Sequence, residues 1–360
     1  MKYGVYPYLD KYALLVEYLI KHNKYNITTL IQPKAWPAAD PGFDNVTLMT
    51  SFNEAVDSVD AVIFLDNAHY KDCIKKLERC IKLKTDAVCC IAPKGSDLPF
   101  LKDLAEEHGV NVTFLDGMDY ETRDKIQKRN DRYQTQESVV AAVGSLFNGG
   151  VCFDSELVLK LVNSFKAEGY TVTVLASDRN FQLCGFHSVL PYNLDGLSDD
   201  PDGFILGLNA YYNYIQMVEK SDVIILQLPQ EGLFKMFDNI PCGFGIRSFI
   251  ISQAIDVDYF TLVSGVDQRE NELYNKLSEL FDKRYGFEIN SVAVNSCYVD
   301  YYDSLEKGSI VCMKISEESA REVVGSLEGS KSSDIIYGSY NDNNIGDIIC
   351  KDCIDKLSSD

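Results

Sequence analysis

Positive charge is what this chain has least of. Its 360 residues carry 34 Lys and Arg against 54 Asp and Glu, a formal net charge of -20. Nucleic acid and anionic membrane both require basic surface, so neither is expected as a main partner. Long apolar runs are missing too. None approaches the ~18 residues of a membrane span, and Met1-Lys2-Tyr3 leads into a short strand-like segment without a signal peptide. A cytoplasmic protein is the expectation.

What is present fits a globular chain, 46% hydrophobic and 24% charged, and too long for one ordinary core. The 11 cysteines are an odd number, scattered through apparent core segments, and are expected as reduced thiols rather than a disulfide framework. Tyr is abundant, in clusters such as Tyr211-Tyr212-Asn213-Tyr214 and Tyr298 to Tyr302. These can mark an interaction surface or simply the faces of amphipathic helices, the second being the commoner reading.

Residues 1–130 alternate strand-like and helix-like segments. Tyr3 to Tyr6 and Ala61 to Leu65 read as strands, the second apolar throughout, as strands buried on both faces are. Leu9 to His22, Lys71 to Leu83 and Asp97 to His108 have helical spacing, the last stopped by Gly109. The alternation predicts an α/β fold, a doubly wound, mostly parallel sheet of Rossmann-like type. Asp116 to Gln136 is polar and marks a domain boundary. A second α/β series fills 137–328, with strands at Val139 to Val143, Thr171 to Ala176 and Val223 to Leu228. Residues 329–360 turn to Ser, Asp, Asn and Gly, a polar C-terminal tail expected to be mobile or loosely docked, although Ile335-Ile336-Tyr337 and Ile345 to Cys350 can pair or pack; it carries Cys350-Lys351-Asp352-Cys353.

The second series opens with the sharpest motif. Gly144-Ser145-Leu146-Phe147-Asn148-Gly149-Gly150-Val151 has the frame of a phosphate-binding loop, G-x-x-x-x-G-K-S/T, between a strand and a helix capped by Asp154 or Ser155. Gly150 stands where the lysine belongs and Val151 where the hydroxyl belongs. The lysine addresses the β/γ-phosphates and the hydroxyl holds Mg²⁺, so the frame is degenerate and hydrolysis is not expected. Gly144, Ser145, Asn148, Gly149 and Gly150 are candidate anion ligands; the alternative is a tight βα turn. Asp178, Arg179, Gln227, Gln230 and Glu231 follow neighbouring strands and belong to the same carboxyl edge, where open α/β sheets bind ligands.

A second polar concentration is Cys184-Gly185-Phe186-His187-Ser188. Cys184 and His187 can be nucleophile and base, or half of a metal set, or parts of a packed turn. Cys350 and Cys353 have C-x-x-C spacing, which serves metal binding or thiol exchange, or nothing beyond two reduced thiols. Asp10 and His69 follow strands of the first series, while His22 and His108 close helices.

The stretch from Gly169 to Val263 resembles clostridial peptide-maturation proteins, encoded with radical SAM maturases and Cys-rich ribosomal precursor peptides. The residues carrying the resemblance are Gly169-Tyr170-Thr171-Val172, Cys184-Gly185-Phe186-His187-Ser188, Leu208-Asn209-Ala210-Tyr211, Ile224 to Pro229 and Phe244-Gly245. It implies a pathway context, with the precursor peptide or the maturase as partner, and points to Phe186, His187 and Asn209 as site residues. The whole plan also resembles proteins that join a Rossmann-like domain to a P-loop domain of the dethiobiotin-synthetase type. Three functions are therefore expected: a peptide-maturation accessory protein, a nucleotide- or phosphate-dependent enzyme, or a metal-handling protein. No cofactor is strongly implied, nucleotide being the one the loop leaves open.

Overall fold

The structure is a computed structural model. It describes residues 1–34, 42–67, 69–115, 132, 137–147, 154–190, 200–233, 244–266, 272–329 and 335–358. The chain divides into two compact units, one of residues 1–119 with 178–191, the other of 120–177 with 192–360. The expected α/β class is observed: a six-stranded and an eight-stranded sheet, mostly parallel, with interleaved helices.

The first unit's strands are β1 (Tyr3–Tyr6), β2 (Ile27–Ile31), β3 (Thr47–Met49), β4 (Ala61–Phe64), β5 (Asp86–Cys89) and β6 (Val112–Phe114). All pair in parallel, in the order β3-β2-β1-β4-β5-β6. This is the doubly wound order, in which the winding direction reverses between β1 and β4. β4 is buried at every position, as its unbroken Ala-Val-Ile-Phe run requires for a central strand. Val62 and Phe64 join a core with Cys73, Leu77, Cys80 and Ile81 from the helix Tyr70–Lys82 and Leu101 from the helix Asp97–His108. Those residues recur every three or four positions, which sets one apolar stripe against the sheet. Gly109 ends the second helix at φ 65°, the left-handed C-cap its position suggested.

The second unit's sheet begins with β7 (Val139–Ser145) and β8 (Val172–Ala176). The short β9 (His187–Ser188) falls within the first unit's residues 178–191; the second unit continues with β10 (Val223–Gln227), β11 (Tyr259–Val266), β12 (Ser291–Asp300), β13 (Val311–Lys314) and β14 (Ile336–Ser339). Its central order is β12-β11-β7-β10-β8. Ten residues make β12 long enough for two neighbours on one edge, β14 parallel along Ser291 to Val294 and β13 antiparallel along Cys297 to Asp300. The helix Pro201–Glu219 begins on Asp200, whose carboxylate accepts from Gly203 N–H at 2.9 Å. A Cβ at Gly203 would lie 2.0 Å from the carboxylate in this rotamer, so a larger residue there would have to shift the Asp200 side chain. Among the described residues, no helix is long and apolar enough to cross a membrane.

Two expectations are resolved. Beyond 329 the alternative to a loosely docked tail holds: Ile336–Ser339 pairs as β14, and the apolar residues from Ile345 pack as the helix Ile345–Leu357 against the helix Ser155–Ala167. The segment's polar composition hid an inner face, Ile345, Ile349, Cys350 and Cys353, at helical spacing. The expectation of reduced thiols throughout is corrected. Cys297 on β12 and Cys312 on β13 form a disulfide across that pair.

Candidate functional site

In the larger sheet β7 lies between β10 and β11, and the helix Ser155–Ala167 follows it. Strand and helix therefore stand as the phosphate-loop frame requires. Gly144 and Ser145 belong to the strand itself, while Asn148, Gly149 and Gly150 lie outside the described residues. A Cβ on Gly144 would approach Leu228, Phe260 and Leu233 at 3.0–3.3 Å, so close packing accounts for that glycine.

At the helix start Asp154 is fully buried. As the N-cap it would ordinarily turn onto its own helix's N–H groups, yet it makes no such bond. Its Oδ1 instead accepts from Gln227 Nε2 at 2.7 Å and Gln230 Nε2 at 2.6 Å, and its Oδ2 from Ser145 Oγ at 3.3 Å. Both amides also reach Ser155 Oγ, at 3.1 and 3.0 Å. Ser177 N–H donates to Gln227 Oε1 at 3.0 Å, which fixes the amide with its nitrogen toward the carboxylate. Burial pushes the Asp154 carboxyl up to about 6, against the opposing pull of the Gln227, Gln230 and Ser145 donors. Gln227 and Gln230 were legible as carboxyl-edge polar residues, but Asp154 was read only as a cap. Its signal was a glutamine closing the otherwise apolar run Val223-Ile224-Ile225-Leu226, a buried amide in need of a partner. Glu231 turns elsewhere, accepting from Arg247 N–H at 2.7 Å to cap the helix Ile246–Ala254.

Asp178 and Arg179 belong to the first unit, beside the ends of β1 and β4. No glycine fingerprint follows β1; the chain there is Pro7-Tyr8-Leu9-Asp10-Lys11-Tyr12. Asn180 is buried and lies against the end of β4. Its Oδ1 accepts from Asp66 N–H at 2.7 Å, its Nδ2 donates to Asp66 C=O at 3.2 Å, and its own N–H is held by Asp178 Oδ1 at 2.9 Å. Tyr12 OH donates to the same Asp66 carbonyl at 2.7 Å. Burial lifts the Asp66 carboxyl, Arg179 opposes the shift and Asp178 adds to it. Desolvation lowers Lys11, with Asp178 and Asp66 pulling the other way. Asn180 reached the sequence reading only as part of a polar run, because its partner lies 114 positions away.

The Cys184 to Ser188 run continues this turn. Cys184 is buried, and Gly185 sits at φ 80°, where a Cβ would come within 2.7 Å of Lys24 Nζ. Phe186 meets Phe181 and Tyr18 edge to face, at 5.8 and 6.0 Å between centroids. His187 and Ser188 are half-buried in β9. Asn209 is buried in the second unit, its Nδ2 donating to Ala254 C=O at 2.8 Å, which ties two helices together. Cys350 and Cys353 are buried free thiols, each pushed up to about 12, chiefly by burial. Tyr211 and Tyr212 are buried too, so that cluster is helix core rather than open surface. His69 is exposed ahead of the helix Tyr70–Lys82. Among the described residues, no group of three or more His, Cys, Asp and Glu is placed to hold a metal ion.

No protein-family model matches the chain, and neither does any curated protein. Among solved structures, a DUF1611 family protein from Anabaena variabilis ATCC 29413 superposes with a TM-score of 0.61 over 98% of this chain and 99% of that one, at 10% identity. The shared element is the fold. The signal recognition particle receptor FtsY from Elizabethkingia anophelis, solved with GDP, reaches a TM-score of 0.33 at 12% identity, over 84% and 89% of the two chains. Homoserine dehydrogenase from S. aureus reaches 0.27 at 18% identity, over 32% and 31%. At those two scores the likeness supports nothing further.

Proposed function

We propose that this chain is a binding protein that does not work on nucleotide, and that it serves as an accessory in the maturation of a ribosomally made peptide, recognising the precursor or its maturase. The observation carrying the first half is Asp154. A buried carboxylate takes the side-chain donors at the carboxyl edge of the larger sheet, beside a loop frame without lysine or hydroxyl. Phosphate recognition needs positive charge and free donors, and this arrangement offers a negative charge and engaged ones. The backbone of Asp66 at the switch point of the smaller sheet supports the same reading, since Asn180 and Tyr12 already hold it. The second half rests on the resemblance of Gly169 to Val263, above all Gly185-Phe186-His187-Ser188, to the peptide-maturation family.

Isothermal titration of the full chain with a Cys-rich ribosomal precursor peptide, and with a radical SAM maturase of such peptides, tests the proposal. Saturable heat with either partner supports it; silence with both removes the accessory role.

A further inference from the structure

β12 is irregular at the point where its disulfide begins. Against β11, Gly265 pairs with Asn295 but Val266 pairs with Tyr298, so Ser296 and Cys297 are the extra residues of a bulge. A Cβ on Gly265 would come within 2.6 Å of the Cys297 carbonyl oxygen, so glycine lets the two strands approach there. Bulges bend a strand and re-aim its side chains. Ser296 is held in place, its Oγ accepting from Asn341 Nδ2 at 2.9 Å and its carbonyl from Ile315 N–H at 3.1 Å. Cys297 is the residue that bonds to Cys312.

The register of β12 against β13 sets the neighbours of that bond. Cys297 stands directly opposite Lys314, and Cys312 directly opposite Val299. The disulfide therefore runs diagonally, and alternation puts Cys297, Cys312 and Lys314 on one face of the ribbon. Its two sulfurs are not equally open. Cys297 is 7% exposed, whereas Cys312 is half-buried on a four-residue strand at the end of the sheet order. The seven free thiols among the described residues are all buried. A partly open disulfide with a lysine beside one sulfur has the setting of a labile pair rather than of a sealed staple.

We propose that Cys297–Cys312 is a reversible thiol–disulfide exchange site whose substrates are small thiols of the glutathione kind. A thiolate attacks Sγ of Cys312, the more open sulfur. The Cys297–Cys312 bond breaks, and Cys297 leaves as a thiolate beside the Lys314 ammonium and takes a proton from water. A second thiolate attacks the outer sulfur of the mixed disulfide, which releases the oxidised small disulfide and leaves Cys312 to take its own proton. Two small thiols are thereby oxidised, and their two electrons reduce the protein pair; the reverse sequence re-forms the bond. The event is local, because β12 keeps its pairing with β11 and β14 when the tie to β13 is cut.

The test equilibrates the full-length wild type with glutathione buffers of graded reduced-to-oxidised ratio at neutral pH without denaturant. Iodoacetamide then blocks free thiols, and mass spectrometry locates them. The expected result is one reversible transition in which Cys297 and Cys312 become alkylated together. A pair that stays oxidised in millimolar reduced glutathione overturns the proposal and leaves a structural staple. A pair that is alkylated even in oxidised glutathione alone overturns it too. Single variants identify the attacked sulfur. With oxidised glutathione, Cys297→Ser should gain a glutathione on Cys312 about tenfold faster than Cys312→Ser gains one on Cys297, because access separates the two. Equal rates contradict entry through Cys312. Should either variant fail to fold, the wild-type titration decides alone.

Discussion

The two sheets are open α/β sheets of the same general kind, yet their carboxyl edges are filled in different ways. In the smaller sheet a neutral amide does it, with Asn180 satisfying both backbone groups of Asp66 where the winding reverses between β1 and β4. In the larger sheet an ionisable group does it, the Asp154 carboxylate between Gln227 and Gln230. The first is made by an amide that carries no charge of its own. The second carries a charge that its hydrogen bonds do not need, so its contribution changes with pH. The site rule for such sheets names a place, and the chain decides what stands there.

Asp154→Asn should give the largest difference between the two edges. The folded carboxyl lies near 6, above the ordinary value of 3.8, so the folded state holds the proton more tightly than the unfolded one. The destabilising share of the charge is absent below pH 4, grows as pH rises through 4–6, and is complete above. The variant should therefore gain about 3 kcal/mol over wild type at pH 7.5 and almost nothing at pH 4, measured by urea unfolding. A gap that does not change with pH would break the comparison. Asn180→Ala should follow, losing about 2 kcal/mol at any pH because a buried N–H is left without its acceptor. A loss below 0.5 kcal/mol, which is about the level of a surface change, would show that edge to be loosely held.

Gly144→Ala should cost about 1–2 kcal/mol, since the added methyl presses on Leu228, Phe260 and Leu233. No loss on thermal melting would restore that glycine to a ligand role. Tyr12→Phe should cost about 1 kcal/mol, sharpening how Asn180 and Tyr12 share the Asp66 carbonyl. A neutral result would leave Asn180 holding that carbonyl alone.

Much of the architecture was legible because parallel strands buried on both faces must be apolar throughout, as at Ala61 to Phe64, Val139 to Val143 and Val223 to Leu226. The site was legible only in outline. Asp154 satisfied a local rule, that aspartate caps helices, and long-range pairing with Gln227 and Gln230 overrode it. Asp178 and Arg179 follow β8 in sequence, yet Asn180 beside them bonds to Asp66, a contact no local spacing encodes. The segment after 329 was legible in part, through Ile335-Ile336-Tyr337 and Ile345 to Cys350. Its polar residues describe the outer face of a helix whose inner face carries Cys350 and Cys353.

Isothermal titration of the wild-type chain with Mg-ATP and with NAD at pH 7.5 tests the central claim most directly. The account predicts no saturable heat from either, because among the described residues the chain's own groups already engage Gln227, Gln230 and Ser145 at one edge and the Asp66 backbone at the other. Saturable binding of either nucleotide would contradict it.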